Sequence, residues 1–128
     1  DFNGDGALDF ALATTSATHQ GATAPTSFAL YENQLESDEY LQLFVRNPGG
    51  IAQGAVVVAE TSERTIQRRV NARSGFLSQN SRLVHFGTAN EEIRNVRVLW
   101  PDGSESTYDD LEEGNRYVLT PGDVRQVG

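Results

Sequence analysis

The stretch from Asn95 to Thr107, NVRVLWPDGSEST, decides the fold class. Val96, Val98 and Trp100 recur at every second residue, with Arg97 and Leu99 between them, which is the period of a strand with one buried face. Asp102-Gly103 then closes a tight hairpin, and SESTY runs back. Trp100 keeps phase with the valines, so it reads as core.

The same pattern repeats outward in both directions. From Phe28 the runs FALYEN, LQLFVRN, GAVVVAET, RTIQRRVN, RLVHFG, NVRVLW, ESTYDD and RYVLT alternate with turn signals. Asn47-Pro48-Gly49-Gly50 breaks one pair, and Glu113-Gly114-Asn115 precedes RYVLT, the last strand expected. Helices need longer stretches at period 3.6, and only TANEEIRNV hints at a helical turn. The fold class expected is all-β, a small β-sandwich or barrel. Upstream, LDFALA places Leu8, Phe10 and Leu12 on one side of a half-buried strand. ATTSATHQGATAPTS follows, poor in large apolar groups, and reads as an exposed loop ending at Pro25. Its hydroxyls, within residues 14–27, are candidates for O-linked sugar. No Asn-x-Ser/Thr sequon occurs.

With 128 residues and 38% hydrophobic content, the chain suffices for a real core. No apolar run is long enough to span a bilayer, so membrane insertion is not expected. Eighteen acidic residues stand against ten basic ones, a formal charge of −8, and every basic residue is Arg. Such a surface repels phosphate backbones, which excludes nucleic acid as a natural partner. The absence of Cys excludes disulfides, thiolate zinc sites and thiol catalysis.

The first ten residues, DFNGDGALDF, offer a different chemistry. Ca²⁺ takes six to eight hard oxygens, and alternate residues of a tightly curved loop converge on one point. Asp1, Asn3, Asp5 and Asp9 supply side-chain oxygens, Ala7 a carbonyl, and Gly4 and Gly6 the positive φ values such a curl demands. An EF-hand would place Glu at the twelfth position and continue into a helix, whereas Leu12 lies in a strand pattern. The loop therefore enters a sheet. The competing reading is a metal-free Asx turn.

This loop resembles the calcium-binding repeats of FG-GAP and VCBS type, which lie on the blades of seven-bladed propellers. Residues 1–33 are then the calcium loop and strands left from a terminal blade, and the chain is expected to be the C-terminal part of a larger secreted protein. Residues 34–128 form the second domain. From about Tyr40 to Gly122 it resembles the ASPIC/UnbV domain of the cartilage acidic protein 1 family, through LQLFVRN, GIAQGAVVVA, SGFLSQNSRLVHFG and VRVLWPDGSEST in that order. One departure is Thr88-Ala89 after HFG, where relatives usually have Leu-Gly. The resemblance implies an extracellular, non-catalytic module for adhesion or partner binding, with a protein or glycan partner at the cell surface.

The residues agree with that implication. There is no nucleophile elbow, GxGxxG, P-loop or HExxH motif. His85, in LVHFG, has apolar neighbours at strand spacing and reads as structural. Asp109, Asp110, Glu112 and Glu113 read as a solvated acidic turn rather than a glycosidase pair. Partner-binding candidates are Phe76, Ser78, Gln79 and Asn80 in SGFLSQNS, and Trp100 if its face meets a sugar, which would make this a carbohydrate-binding accessory domain. The Arg64, Arg68, Arg69 and Arg73 group, against so many acids, suggests self-association. With an N-terminal strand lacking its propeller, it allows an extracellular filament built by strand donation.

Overall fold

In the computed structural model, residues 1–19, 21–34, 38–71 and 81–127 are described. The chain forms two compact units, Asp1–Ser37 and Asp38–Gly128. Among the described residues every regular element is a strand.

The larger unit is a β-sandwich. One sheet has the order β11(Glu105–Tyr108), β10(Ile93–Leu99), β7(Val56–Thr61), β8(Thr65–Arg69). The other runs β13(Asp123–Val127), β12(Asn115–Thr120), β5(Tyr40–Asn47), and β5 also pairs with β6(Gly50–Ile51) and β9(Leu83–Gly87). The sheets do not close into a barrel, and of the two architectures expected the sandwich is the one formed. All neighbours are antiparallel except β5 and β12, which are parallel from Leu41 opposite Asn115 to Val45 opposite Leu119.

Alternation explains which side chains meet. Leu41, Leu43 and Val45 of β5, Phe86 of β9 and Leu119 of β12 are fully buried, as are Val57 of β7 and Val96 and Val98 of β10 in the facing sheet. Trp100 is 4% exposed and Tyr108 6%. Their polar tips are satisfied inside, as buried indoles and phenols require. Trp100 Nε1 donates to Ser106 Oγ at 2.8 Å, and Tyr108 Oη donates across from one sheet to the other, to the Thr120 carbonyl, at 2.6 Å.

The β10–β11 hairpin takes the geometry its residues ask for. Gly103 N–H donates to the Trp100 carbonyl, and Trp100 N–H to the Ser104 carbonyl. Pro101 opens the turn, and Gly103, at φ 88°, supplies the left-handed residue of the three-residue hairpin. The Asp102 carboxylate holds the return strand through the N–H and hydroxyl of Ser104.

Three expectations about which elements form require correction. TANEEIRNV is no helical turn: Thr88–Glu91 is a turn closed by Glu91 N–H on the Thr88 carbonyl, and Ile93 opens β10. RYVLT is not the last strand, because β13 pairs back onto β12 after Pro121-Gly122. The segment read as a Thr/Ser/Ala/Gly loop contains β2(Ala17–His19) and β3(Ala22–Ala24), paired through Ala17–Ala24 and His19–Ala22. Those strands are seen in their backbone pairing, and the hydrophobic pattern carried no signal of them.

In the smaller unit β1(Phe10–Thr14) pairs antiparallel with β4(Ser27–Tyr31). Register puts Phe10, Leu12 and Tyr31 on one face and Phe28 and Leu30 on the other. The strand is there, but its apolar side is not half-buried as expected: Leu8, Phe10 and Leu12 are 58%, 57% and 43% exposed, and Phe28 is 70% exposed. A two-stranded ribbon has no second layer to cover either face.

The departure at Thr88-Ala89 has a backbone consequence. Ala89 and Asn90 lie at φ 52° and 64°, the pair of left-handed residues that a type I′ turn demands. Ala pays about 1–2 kcal/mol there, partly offset by its smaller unfolded-state entropy. Ala89→Gly is expected to stabilise the domain by about 0.5–1 kcal/mol, seen as a higher urea midpoint at unchanged m-value. Tyr108→Phe, which removes the bond from one sheet to the Thr120 carbonyl of the other, is expected to cost about 0.5–1.5 kcal/mol in the same measurement.

Candidate functional site

The N-terminal loop curls as its residues predict. Asn3 Oδ1 accepts the Asp5 N–H at 3.2 Å and Asp5 Oδ1 accepts the Ala7 N–H at 2.9 Å, two successive Asx turns. Gly4 and Gly6, at φ 79° and 90°, allow the reversal. Asn3 Nδ2 sits 2.7 Å from Asp5 Oδ2 and 3.1 Å from Glu32 Oε1. Asn3, Asp5 and Glu32 thus meet, and Glu32 was not among the candidates. It arrives because the β1–β4 pairing sets residue 31 opposite residue 10. The pairing partner of β1 was the missing information.

Asp9 does a different job. Its Oδ2 accepts the Phe2 N–H at 2.8 Å and its Oδ1 the Asn33 N–H at 2.9 Å, tying both ends of the unit together. The Asn33 bond is the main reason its pKa lies below the usual carboxylate value, with the Phe2 bond adding to it against the cost of desolvation. Asp1 lies alongside, its side chain almost covered. Asn3 and Asp5, with Glu32, fit a hard cation in donor type. Asp1 and Asp9 stand as a second pair, and Asp9 is committed to amides. Among the described residues no three His, Cys, Asp or Glu side chains are grouped to hold a metal.

The remaining candidates disperse. Phe76, Ser78, Gln79 and Asn80 lie outside the described residues, as does Arg73. Trp100 is buried with its N–H in use, which takes its face away from any sugar. Asp109, Asp110 and Glu112 point to solvent around buried Leu111. Arg64 is not a free positive charge: its Nε lies 3.0 Å from Glu91, which also accepts the Thr61 hydroxyl at 2.6 Å and so clasps the β7–β8 turn. His85 faces Gln42, whose Nε2 is 3.3 Å from His85 Nδ1 and whose Oε1 accepts Arg116 Nε at 2.8 Å. The Tyr40 ring stacks on it at 6.1 Å. Burial first, and the nearby Arg68 charge in addition, hold the His85 pKa below its ordinary value. It is a packed, hydrogen-bonded histidine.

Residues 46–126 match the family described as ASPIC and UnbV. The chain belongs to the ASPIC and UnbV family. It is 34% identical over 105 residues to cartilage acidic protein 1 of Mus musculus and 33% identical over 105 residues to that of Homo sapiens. Each alignment covers 80% of this chain, and 16% of the mouse and 15% of the human protein. This member of the ASPIC and UnbV family therefore spans about a sixth of the relatives it matches. The matched stretch takes in the β10–β11 hairpin, closed by Asp102 and Ser104, and the β7–β8 turn clasped by Glu91.

Two titrations follow from these contacts. Asp9 holds its amides above the unfolded carboxylate value of 3.8 and releases them as pH falls through its lowered folded value. The Phe2 and Asn33 amide resonances are expected to titrate together below pH 3.8, and Asp9→Ala should abolish that transition. His85, whose folded pKa is also depressed, contributes stability above its ordinary 6.5 that is lost as pH falls through the folded value. His85→Gln is expected to flatten the stability profile on the acid side of that point.

Proposed function

We propose that this chain is an extracellular, non-catalytic interaction module, the C-terminal part of a larger secreted protein, carrying a structural calcium loop of FG-GAP/VCBS type. The observation that carries the reading is the exposed ribbon. Phe10, Leu12, Phe28, Leu30 and Tyr31 are each at least 43% exposed, on a two-stranded sheet apolar on both faces. Water-exposed strands normally keep one polar face, whereas a strand layered inside a larger sheet is apolar on both. Such a ribbon suits the last strands of a propeller blade, covered by strands from upstream sequence. The family relationship supports the extracellular setting, since its relatives here carry the name cartilage acidic protein 1.

In this reading Asn3, Asp5 and Glu32, with the Ala7 carbonyl, hold Ca²⁺, while Asp1 and Asp9 brace the loop beside them. The ion supplies charge neutralisation only. Asp5 orders the curl and Asp9 anchors it to Asn33 at the exit of β4, so binding at the loop also fixes where the ribbon begins. A second reading rests on the same ribbon: among the described residues its outer edges have no neighbour in their sheet, which suits strand donation between copies into a filament.

Calorimetry of the protein with its native upstream residues tests the first. Ca²⁺ at a hundred times its Kd is expected to stabilise by about 2.7 kcal/mol, reversibly with EDTA, and Asp5→Ala should remove the effect. Equal melting of wild type and variant at millimolar calcium would sink the calcium assignment. Sedimentation separates the two readings. Concentration-dependent oligomers of that same longer protein, abolished by Phe10→Arg with Phe28→Arg, would favour strand donation, and a monomer would favour the propeller.

A further inference from the structure

We infer that the cleft between edge strands β8 and β9 binds a tetrahedral oxyanion, with the sulfate ester of a polysaccharide as its ligand class. β8 ends one sheet and β9 borders the other, so the sandwich parts there, leaving a cavity of about 140 Å³. Among the described residues, every titratable residue lining it is basic: Arg68, Arg69, Arg82 and His85. In a chain with 18 acidic and 10 basic residues, a cavity with cations and no carboxylate reverses the composition. Among the described residues, Arg68, Arg69 and Arg82 make no ion pair, whereas Arg64 and Arg97 do.

The cavity is also held in shape. Val70, at its floor, donates to the Ala55 carbonyl and accepts the Gly54 N–H. The Arg68 guanidinium lies over the Phe86 ring, 5.8 Å from its centroid, and its Nη1 donates to the Gln67 carbonyl at 3.0 Å. That fixes the cation and leaves its other N–H groups for a ligand. Ser81 Oγ accepts the Leu83 N–H at 3.2 Å, so its own O–H remains to donate. A carboxylate is satisfied by one guanidinium in two parallel bonds, while a tetrahedral group with several terminal oxygens uses donors arriving from different strands. At about 30 Å³ per water, the space holds roughly four or five waters, enough for one such group with its carrier left outside. The chain's net negative charge repels a polyanion at distance, so binding must come from this short-range contact rather than from steering.

The test uses the full chain at physiological salt with dextran sulfate, unsulfated dextran, sodium sulfate and poly-glutamate, read by titration calorimetry and by the His85 ring resonances. Dextran sulfate is expected to bind saturably and move those resonances, sodium sulfate to move them at higher concentration, and unsulfated dextran to do neither. Arg68→Gln with Arg69→Gln should weaken dextran sulfate about tenfold or more, while the charge-matched pair Arg46→Gln with Arg125→Gln should change it by about twofold or less. Arg82→Gln, outside either strand, supplies the same readout if the β8 variant fails to fold. Equal losses in the two double variants would show diffuse attraction and overturn the site. Equal binding of poly-glutamate would assign the cleft to acidic peptides instead. A response to sodium sulfate with none to dextran sulfate would overturn the polysaccharide as its source.

Discussion

Strand β5 is buried along its inner face and carries one buried amide on its outer face, and the architecture of the sandwich follows from that constraint. Inward it gives Leu41, Leu43 and Val45 to the core; outward it carries Gln42, which is 1% exposed. A primary amide out of water costs a few kcal/mol unless its donors and acceptors are met. Gln42 is met by Arg116 on one side and His85 on the other, from the two strands that flank β5. The parallel neighbour β12 is reached only after a long excursion of the chain, and that excursion builds the whole facing sheet. Burial of β5, its polar bridge and the second sheet are thus one arrangement.

Polar groups inside the larger unit serve the fold. Tyr108 ties sheet to sheet, Trp100 is closed by Ser106, and Glu91 clasps the β7–β8 turn through Thr61 and Arg64. The Thr88–Glu91 turn that delivers Glu91 is formed by two non-glycine residues in left-handed geometry. Such strain persists because the clasp and the buried Thr88 over-determine it. The smaller unit has the opposite character. Its carboxylates and amides organise a loop, while its large apolar groups face water.

The charges divide in the same way. Every Arg lies at or beyond Arg46, and Asp1–Ser37 contains acidic residues and neither Arg nor Lys. Where arginines have glutamates within reach they are spent on turns and strand pairs. At the parting of the two sheets three of them line one space together with a histidine. That grouping depends on which strands end up at the edges.

Short-range chemistry was legible in the sequence. Period-two alternation announced β1, β4, β5 and β7 to β12, and for β10 the inward face as well, because a pleated strand must send alternate residues to opposite sides. Asp102-Gly103 announced its hairpin, and the Asn3, Asp5 and Gly spacing announced the curl, because those residues carry their own turn geometry. What lay beyond reach depended on partners distant in the chain. Strands β2, β3 and β13 exist through backbone pairing and leave little hydrophobic trace. Asp9 became an amide clamp and Glu32 a neighbour of Asn3 only when β4 returned to β1. Whether the alternating face of β1 is covered is a property of the layer around it, and a strand pattern does not encode the number of layers. The convergence of Arg68, Arg69 and Arg82 arose likewise, since strand order within the two sheets, rather than spacing along the chain, set β8 beside β9.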